Sequence, residues 1–183
     1  MKSIDIVFPK NNEEEFISIA KALGTKELIF VYTPKEYKEY VSEDIKIKTA
    51  VLVTAKEALA AQKKYPLLVI KADQETDLWV IEHIKNVIVY GFELQDRKDF
   101  MHHRNSGINH IVAKQMKEKG IVYGFPVSVL LHASADLQAT LLGRLRQNIV
   151  VLQKYKVELV LGSFSSDPMD MRNGKDVWSF IEE

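Results

Sequence analysis

Seven short apolar runs recur along the chain, and they constrain its fold more than any other feature: Ile4–Phe8, Leu28–Tyr32, Thr49–Val53, Leu67–Ile70, Val87–Tyr90, Ile121–Phe125 and Val157–Leu161. Each is nearly continuous in hydrophobicity instead of alternating with polar residues. That pattern belongs to strands covered on both faces, as in parallel sheets. Right-handed strand–helix–strand crossovers build such strands into an open doubly wound sheet or a closed barrel. Seven units within 183 residues favour a single α/β domain over residues 1–183, a (β/α)7 barrel with thin loops. No Gly-rich turn follows the first run, so dinucleotide binding has no support.

The intervening segments read as helices. Asn11-Asn12 precedes Glu13–Leu23, whose Phe16, Ile19, Ala20 and Leu23 share a face, with three acids in the first turn and Gly24 placed to end it. Pro34 is placed to open a short helix through Tyr40. Further helices are expected over Ala55–Lys64, Glu75–Ile84, Gly107–Lys119 and Asp136–Tyr155, and Asp167-Pro168 opens a last helical region. Trp79 and Trp178 fall on helical stripes and are expected in the core.

The chain has no cysteine, which excludes disulfides and thiolate metal sites. It shows no signal-peptide hydrophobic region and no apolar run of the ~18 to 20 residues that a membrane helix needs, so a cytoplasmic protein with no membrane contact is expected. Net charge is zero but unevenly laid out. Residues 97–176 carry 12 Lys and Arg against 7 Asp and Glu, and the remainder carries 13 against 18. All five arginines, Arg97, Arg104, Arg144, Arg146 and Arg172, lie in the basic part. Guanidinium forks fit phosphate and base edges, so this layout points to one anionic partner. The competing reading is uneven solvated charge.

Sites on such folds gather where strands end, here the Gly91–Ser106 loop, the Phe125–His132 segment and the Gly162–Arg172 loop. The first loop, with the start of the following helix, holds Arg97, Lys98, His102, His103, Arg104 and His110. Ser106 is placed to cap that helix. A metal centre needs converging His and carboxylate ligands, and adjacent His102 and His103 point different ways on regular backbone. The segment therefore reads as phosphate or base contact beside the arginines, or as a polar loop. On the long helix, Arg144 and Arg146 are two residues apart and do not share a face.

Several of these segments together resemble one family. Arg104-Asn105-Ser106-Gly107-Ile108-Asn109-His110-Ile111-Val112-Ala113-Lys114 is similar to the signature helix of archaeal ribonuclease P protein component 3. Gly124–Leu131, Leu141–Asn148, Tyr155-Lys156-Val157 and Met171–Val177 follow in that family's order, so the likeness covers roughly residues 104–180. The resemblance implies a distorted TIM-like β/α barrel related to the polymerase-and-histidinol-phosphatase (PHP) superfamily. It implies a protein subunit that supports removal of the 5′ leader from precursor tRNA, with ribonuclease P RNA doing the chemistry with Mg²⁺. No cofactor is expected on this chain itself, and a small RRM-like ribonuclease P protein is implied as partner. Arg104, His110, Arg144 and Arg172, then Arg97, Lys98, Arg146 and Lys175, are the expected contacts to RNA or to that partner, and no side chain is expected to be catalytic. Two other readings stand beside it. One is a metal-dependent phosphoesterase on the same PHP-type barrel, with His102, His103, His110 and Asp5 as ligands. The other is an interaction protein with no RNA contact.

Overall fold

The computed structural model describes residues 4–74, 77–99, 101–102 and 104–182. All seven apolar runs are strands: β1 (Ile4–Val7), β2 (Glu27–Tyr32), β3 (Lys46–Leu52), β4 (Leu68–Lys71), β5 (Val87–Tyr90), β6 (Val122–Pro126) and β7 (Leu159–Gly162). They form one parallel sheet in chain order. The sheet curls until its ends meet. Just past β7, the Phe164 N–H donates to the Ile6 carbonyl at 2.7 Å, and the Phe8 N–H donates to the Ser165 carbonyl at 2.9 Å. A parallel bridge joins Val7 to Ser165. The result is a nearly closed, TIM-like (β/α)7 barrel.

Asp5 fastens this seam. Its buried carboxylate accepts from the Ser163 N–H at 2.6 Å, the Ser163 hydroxyl at 2.7 Å and the Ile6 N–H at 2.7 Å. Burial is the largest influence on it and pushes its pKa up to about 6, although the Ser163 and Ile6 donors pull the other way.

Along each strand, side chains alternate between barrel interior and helix-facing surface, although both sides are apolar. Ile6, Ile29, Val31, Ala50, Val69, Ile88 and Tyr90 pack inside. Leu28, Phe30 and Tyr32 pack outward with Phe16, Ile17 and Ala20. Phe8, Tyr90 and Phe164 fill the interior, with Tyr90 stacked on Phe164 at 4.6 Å. Gly124 makes room for this plug. A Cβ there would lie 2.7 Å from the Phe164 ring and 2.9 Å from the Tyr90 Cβ.

The helices are α1 (Glu13–Leu23), α2 (Ala55–Ala61), α3 (Asp77–His83), α4 (His110–Lys119), α5 (Val127–His132), α6 (Ala135–Lys154) and α7 (Gly174–Glu182). Gly24 ends α1 in the left-handed conformation, as its placement suggests. Glu57 reaches back to the Thr54 N–H at 3.0 Å, satisfying a free donor at the start of α2. Three expectations change. Pro34–Tyr40 is no helix: it is a turn, in which the Glu36 N–H meets the Thr33 carbonyl at 3.1 Å, followed by irregular chain. α5 falls in the Phe125–His132 segment, where no helix was expected. Trp79 is 36% exposed and stacks on His83 at 5.0 Å, so it is a surface residue, while Trp178 packs half-buried against the core. Residues 75 and 76, at the expected start of α3, lie outside the described residues. Among the described residues no helix is long and apolar enough to cross a membrane.

Candidate nucleic-acid interface

The loop between β5 and α4 opens with a single 3-10 turn, Phe92–Leu94, and folds over the middle of α6. The docking is polar and specific. Gln147 on α6 accepts from the Arg104 N–H at 3.0 Å and donates to the Arg104 carbonyl at 2.8 Å and to the Ser106 hydroxyl at 2.9 Å. One turn away, Arg144 is buried. Its Nε donates to Asp99 at 3.0 Å, and its Nη1 donates to the carbonyls of Glu93 at 2.9 Å and Gln95 at 3.0 Å. Its Nη2 donates to the Arg97 carbonyl. Arg144 is therefore the brace that ties this loop to the helix, and its fork is turned to the protein instead of outward to a ligand. This corrects the expectation of a surface contact.

Asp99 receives three donors: Arg144, the Arg104 guanidinium at 2.9 Å and the Asn105 N–H at 2.9 Å. Burial works to raise its pKa, but the Asn105 N–H and the two guanidinium groups outweigh that and hold it below the usual carboxylate range. Arg104 lies across Gly143, where an added Cβ would stand 3.0 Å from Nε. The glycine of Leu142-Gly143-Arg144 thus allows the guanidinium to lie against the helix backbone.

The other expected residues divide. Lys98 and Arg146 are exposed, and their side chains have no hydrogen bond or ion pair among the described residues; Lys98 lies in the loop and Arg146 on α6. Arg97 is half-buried. Its Nε donates to Gln95 at 2.5 Å and its Nη2 faces Asp77 at 3.4 Å, so it too braces the loop. His110 is exposed at the first position of α4, with Asn109 capping that helix through bonds of 2.9 and 3.0 Å to the N–H groups of Ile111 and Val112. Ser106, expected as the cap, is buried under Gln147 and Asn148. Arg172 and Lys175 stand elsewhere. Arg172 donates to the Met169 and Met171 carbonyls, each at 2.8 Å, and neighbouring Asn173 donates to the Leu23 carbonyl at the end of α1 at 3.0 Å. The eight residues do not converge on one rim.

Among the described residues no group of three or more His, Asp or Glu side chains is arranged to hold a metal ion. Of the suggested ligands, Asp5 is bound to Ser163 in the seam, His102 and His110 are exposed, and His103 lies outside the described residues. A cavity of about 840 Å³ opens at the ends of β3, β4 and β5 beside Leu52, Lys71 and Tyr90. Its acids Glu57, Asp73 and Asp96 outnumber its lysines Lys56 and Lys71, and none of the eight expected contact residues lines it.

Sequence reasoning missed the buried polar group beneath the loop. Glu93 accepts from the Tyr123 hydroxyl and, at 2.6 Å, from Asn148 Nδ2, which also donates to the Ser106 carbonyl at 3.1 Å. The available signal was a lone acid between Phe92 and Leu94 directly after a strand.

No family model matches the chain. Over 90 residues, 47% of this chain and 38% of the relative, it is 32% identical to ribonuclease P protein component 3 of Methanosarcina acetivorans. The corresponding proteins of Methanosarcina mazei and Methanosarcina barkeri are 31% and 30% identical over the same share. The match therefore spans 38% of the relatives' own length. A chain in a cryo-EM structure of archaeal ribonuclease P with mature tRNA has the same fold, with a TM-score of 0.75 over 98% of this chain and 81% of that one, at 18% identity. By sequence over nearly half its length the chain is thus similar to ribonuclease P protein component 3, and by fold over nearly all of it to a chain found within archaeal ribonuclease P.

Proposed function

We propose that this chain is a protein subunit of ribonuclease P that supports RNA-catalysed removal of the 5′ leader from precursor tRNA. The observation that carries this reading is the sequence match to ribonuclease P protein component 3. The fold it shares with a chain in a structure of archaeal ribonuclease P with mature tRNA supports it. The reading assigns the phosphodiester chemistry to ribonuclease P RNA with Mg²⁺, and to this chain the holding of RNA. Lys98, Arg104 and Arg146, with His110 six residues after Arg104, form the first contact region. Arg172 and Lys175 form a second, separate one. Lysine and arginine contacts of this kind set register on the phosphate backbone and do not read sequence. A small RRM-like ribonuclease P protein completes the assembly, which works in the cytoplasm.

Reconstitution tests this. Precursor-tRNA cleavage by the catalytic RNA is measured with and without this chain and its small protein partner, across a Mg²⁺ series. The proposal expects cleavage at lower Mg²⁺ when the chain is present. Identical Mg²⁺ curves in both mixtures would remove it.

A further inference from the structure

Two acceptors beneath the loop have no donor among the described residues: Glu93 Oε2 and Asn148 Oδ1, both buried. They belong to the same two groups that the 2.6 Å bond from Asn148 Nδ2 to Glu93 Oε1 joins. A carboxylate facing a primary amide offers three acceptor-type contacts and one N–H, so one oxygen on each side is left over. A single proton resolves both. Placed on Oε2, it makes that oxygen a donor that the amide oxygen can accept, so that acid and amide can pair through two bonds.

We infer that Glu93 is a positioning residue that carries a proton in the folded chain, donates it from Oε2 to Asn148 Oδ1, and thereby holds the arginine-bearing loop on α6. Asn148 is the link, because its second amide hydrogen bonds the Ser106 carbonyl at 3.1 Å. An ionised Glu93 leaves both buried oxygens without a donor, which costs free energy at a buried site. The amide must then turn or shift, and its bond to Ser106 weakens.

The surroundings agree. The charged and titratable groups facing Glu93 are Tyr123 from β6 and Arg144 from α6. Tyr123 gives a neutral hydrogen bond. The Arg144 charge is met by Asp99 at 3.0 Å, and its contact with Glu93 is to the backbone carbonyl. Burial outweighs these groups and pushes the Glu93 pKa up to about 7. The loop is thus held more tightly on the acid side of neutrality. Any effect of this on RNA affinity rests on the proposed function; the clasp itself does not.

The test uses the full chain without RNA. The side-chain carboxyl carbon of Glu93 is followed by NMR from pH 4 to 9. Amide exchange at Arg104 and Asn105, corrected for the intrinsic rate, is measured at pH 6 and pH 8 in wild type and in Glu93→Gln. The glutamine side chain offers an N–H where the acid offers its proton. The inference expects the carbon to titrate near neutrality, wild-type protection at Arg104 and Asn105 to fall between pH 6 and 8, and Glu93→Gln to keep its protection at both. A carbon that titrates in the ordinary range near 4 to 5 overturns it, whether or not the variant folds. So does a Glu93→Gln protein that loses protection as wild type does.

Discussion

Arg144 Nε donates to Asp99 Oδ1 at 3.0 Å, joining the middle of the longest helix to a loop 45 residues earlier in the chain. This bond separates the two neighbouring arginines of α6 into different jobs. Arg144 faces inward and braces the loop. Arg146, two residues on, faces solvent.

Replacing Arg144 by Ala is expected to destabilise the chain by about 3 kcal/mol, because it removes the donor from three backbone carbonyls and one of the three donors to Asp99. Replacing Arg146 by Ala is expected to stay within about 0.5 kcal/mol of wild type. Urea unfolding of the two variants checks the contrast.

Gly124→Ala is expected to cost about 1 to 3 kcal/mol by overpacking the barrel interior. The new methyl group would meet the Phe164 ring and the Tyr90 Cβ, both held in the packed plug. Replacing Phe164 by Leu in the same chain relieves the nearer contact, so thermal unfolding should show the double variant recovering part of the loss.

Gly143→Ala is expected to behave oppositely. The atoms nearest its methyl group would be those of the Arg104 guanidinium, which can swing aside on a flexible stem. Alanine in a helix interior then gains up to about 1 kcal/mol over glycine. Unfolding midpoints test the gain, and the displaced Arg104 should weaken RNA retention in the same protein.

The barrel seam has its own pH dependence. Burial raises the folded-state pKa of Asp5 from 3.8 to about 6. Its contribution to stability is therefore fully present below about 4 and is lost as pH rises through about 6, amounting to about 3 kcal/mol. Asp99 and Asp170 act in the opposite direction. Burial tends to raise both, but hydrogen bonds and neighbouring cations leave their pKa values lowered, so their contribution is lost as acid is added. Subtracting the denaturation curves of Asp5→Asn from wild type between pH 4 and 7 isolates the Asp5 effect, which should have that sign.

Much of this architecture was legible before any coordinates. The seven strands announced themselves because a parallel strand covered on both sides must be apolar throughout. Gly24 marked a helix end, and it takes the left-handed conformation there. The errors were local contests. Thr33 and Glu36 bond side chain to side chain at 2.7 Å and keep Pro34–Tyr40 as a turn, and Asn109 outcompetes Ser106 for the start of α4 because Ser106 is drawn under Gln147. The site was less legible than the fold. Residue type marked Arg144 and Arg146 alike, and only the loop folding back across α6 decides which one is buried and which one faces solvent. The resemblance pointed to these segments, but it did not separate bracing arginines from exposed ones.

The salt dependence of RNA binding tests the account most directly. Affinity for precursor tRNA is measured across a salt series for the assembled protein pair, with wild type and with Lys98, Arg104 and Arg146 all changed to Ala. If these side chains meet phosphates, the slope of log affinity against log salt should shrink by about 2 to 3, with weaker binding at every salt concentration. A triple variant that folds normally and binds with wild-type affinity and slope would contradict the central claim that the loop–α6 edge grips RNA.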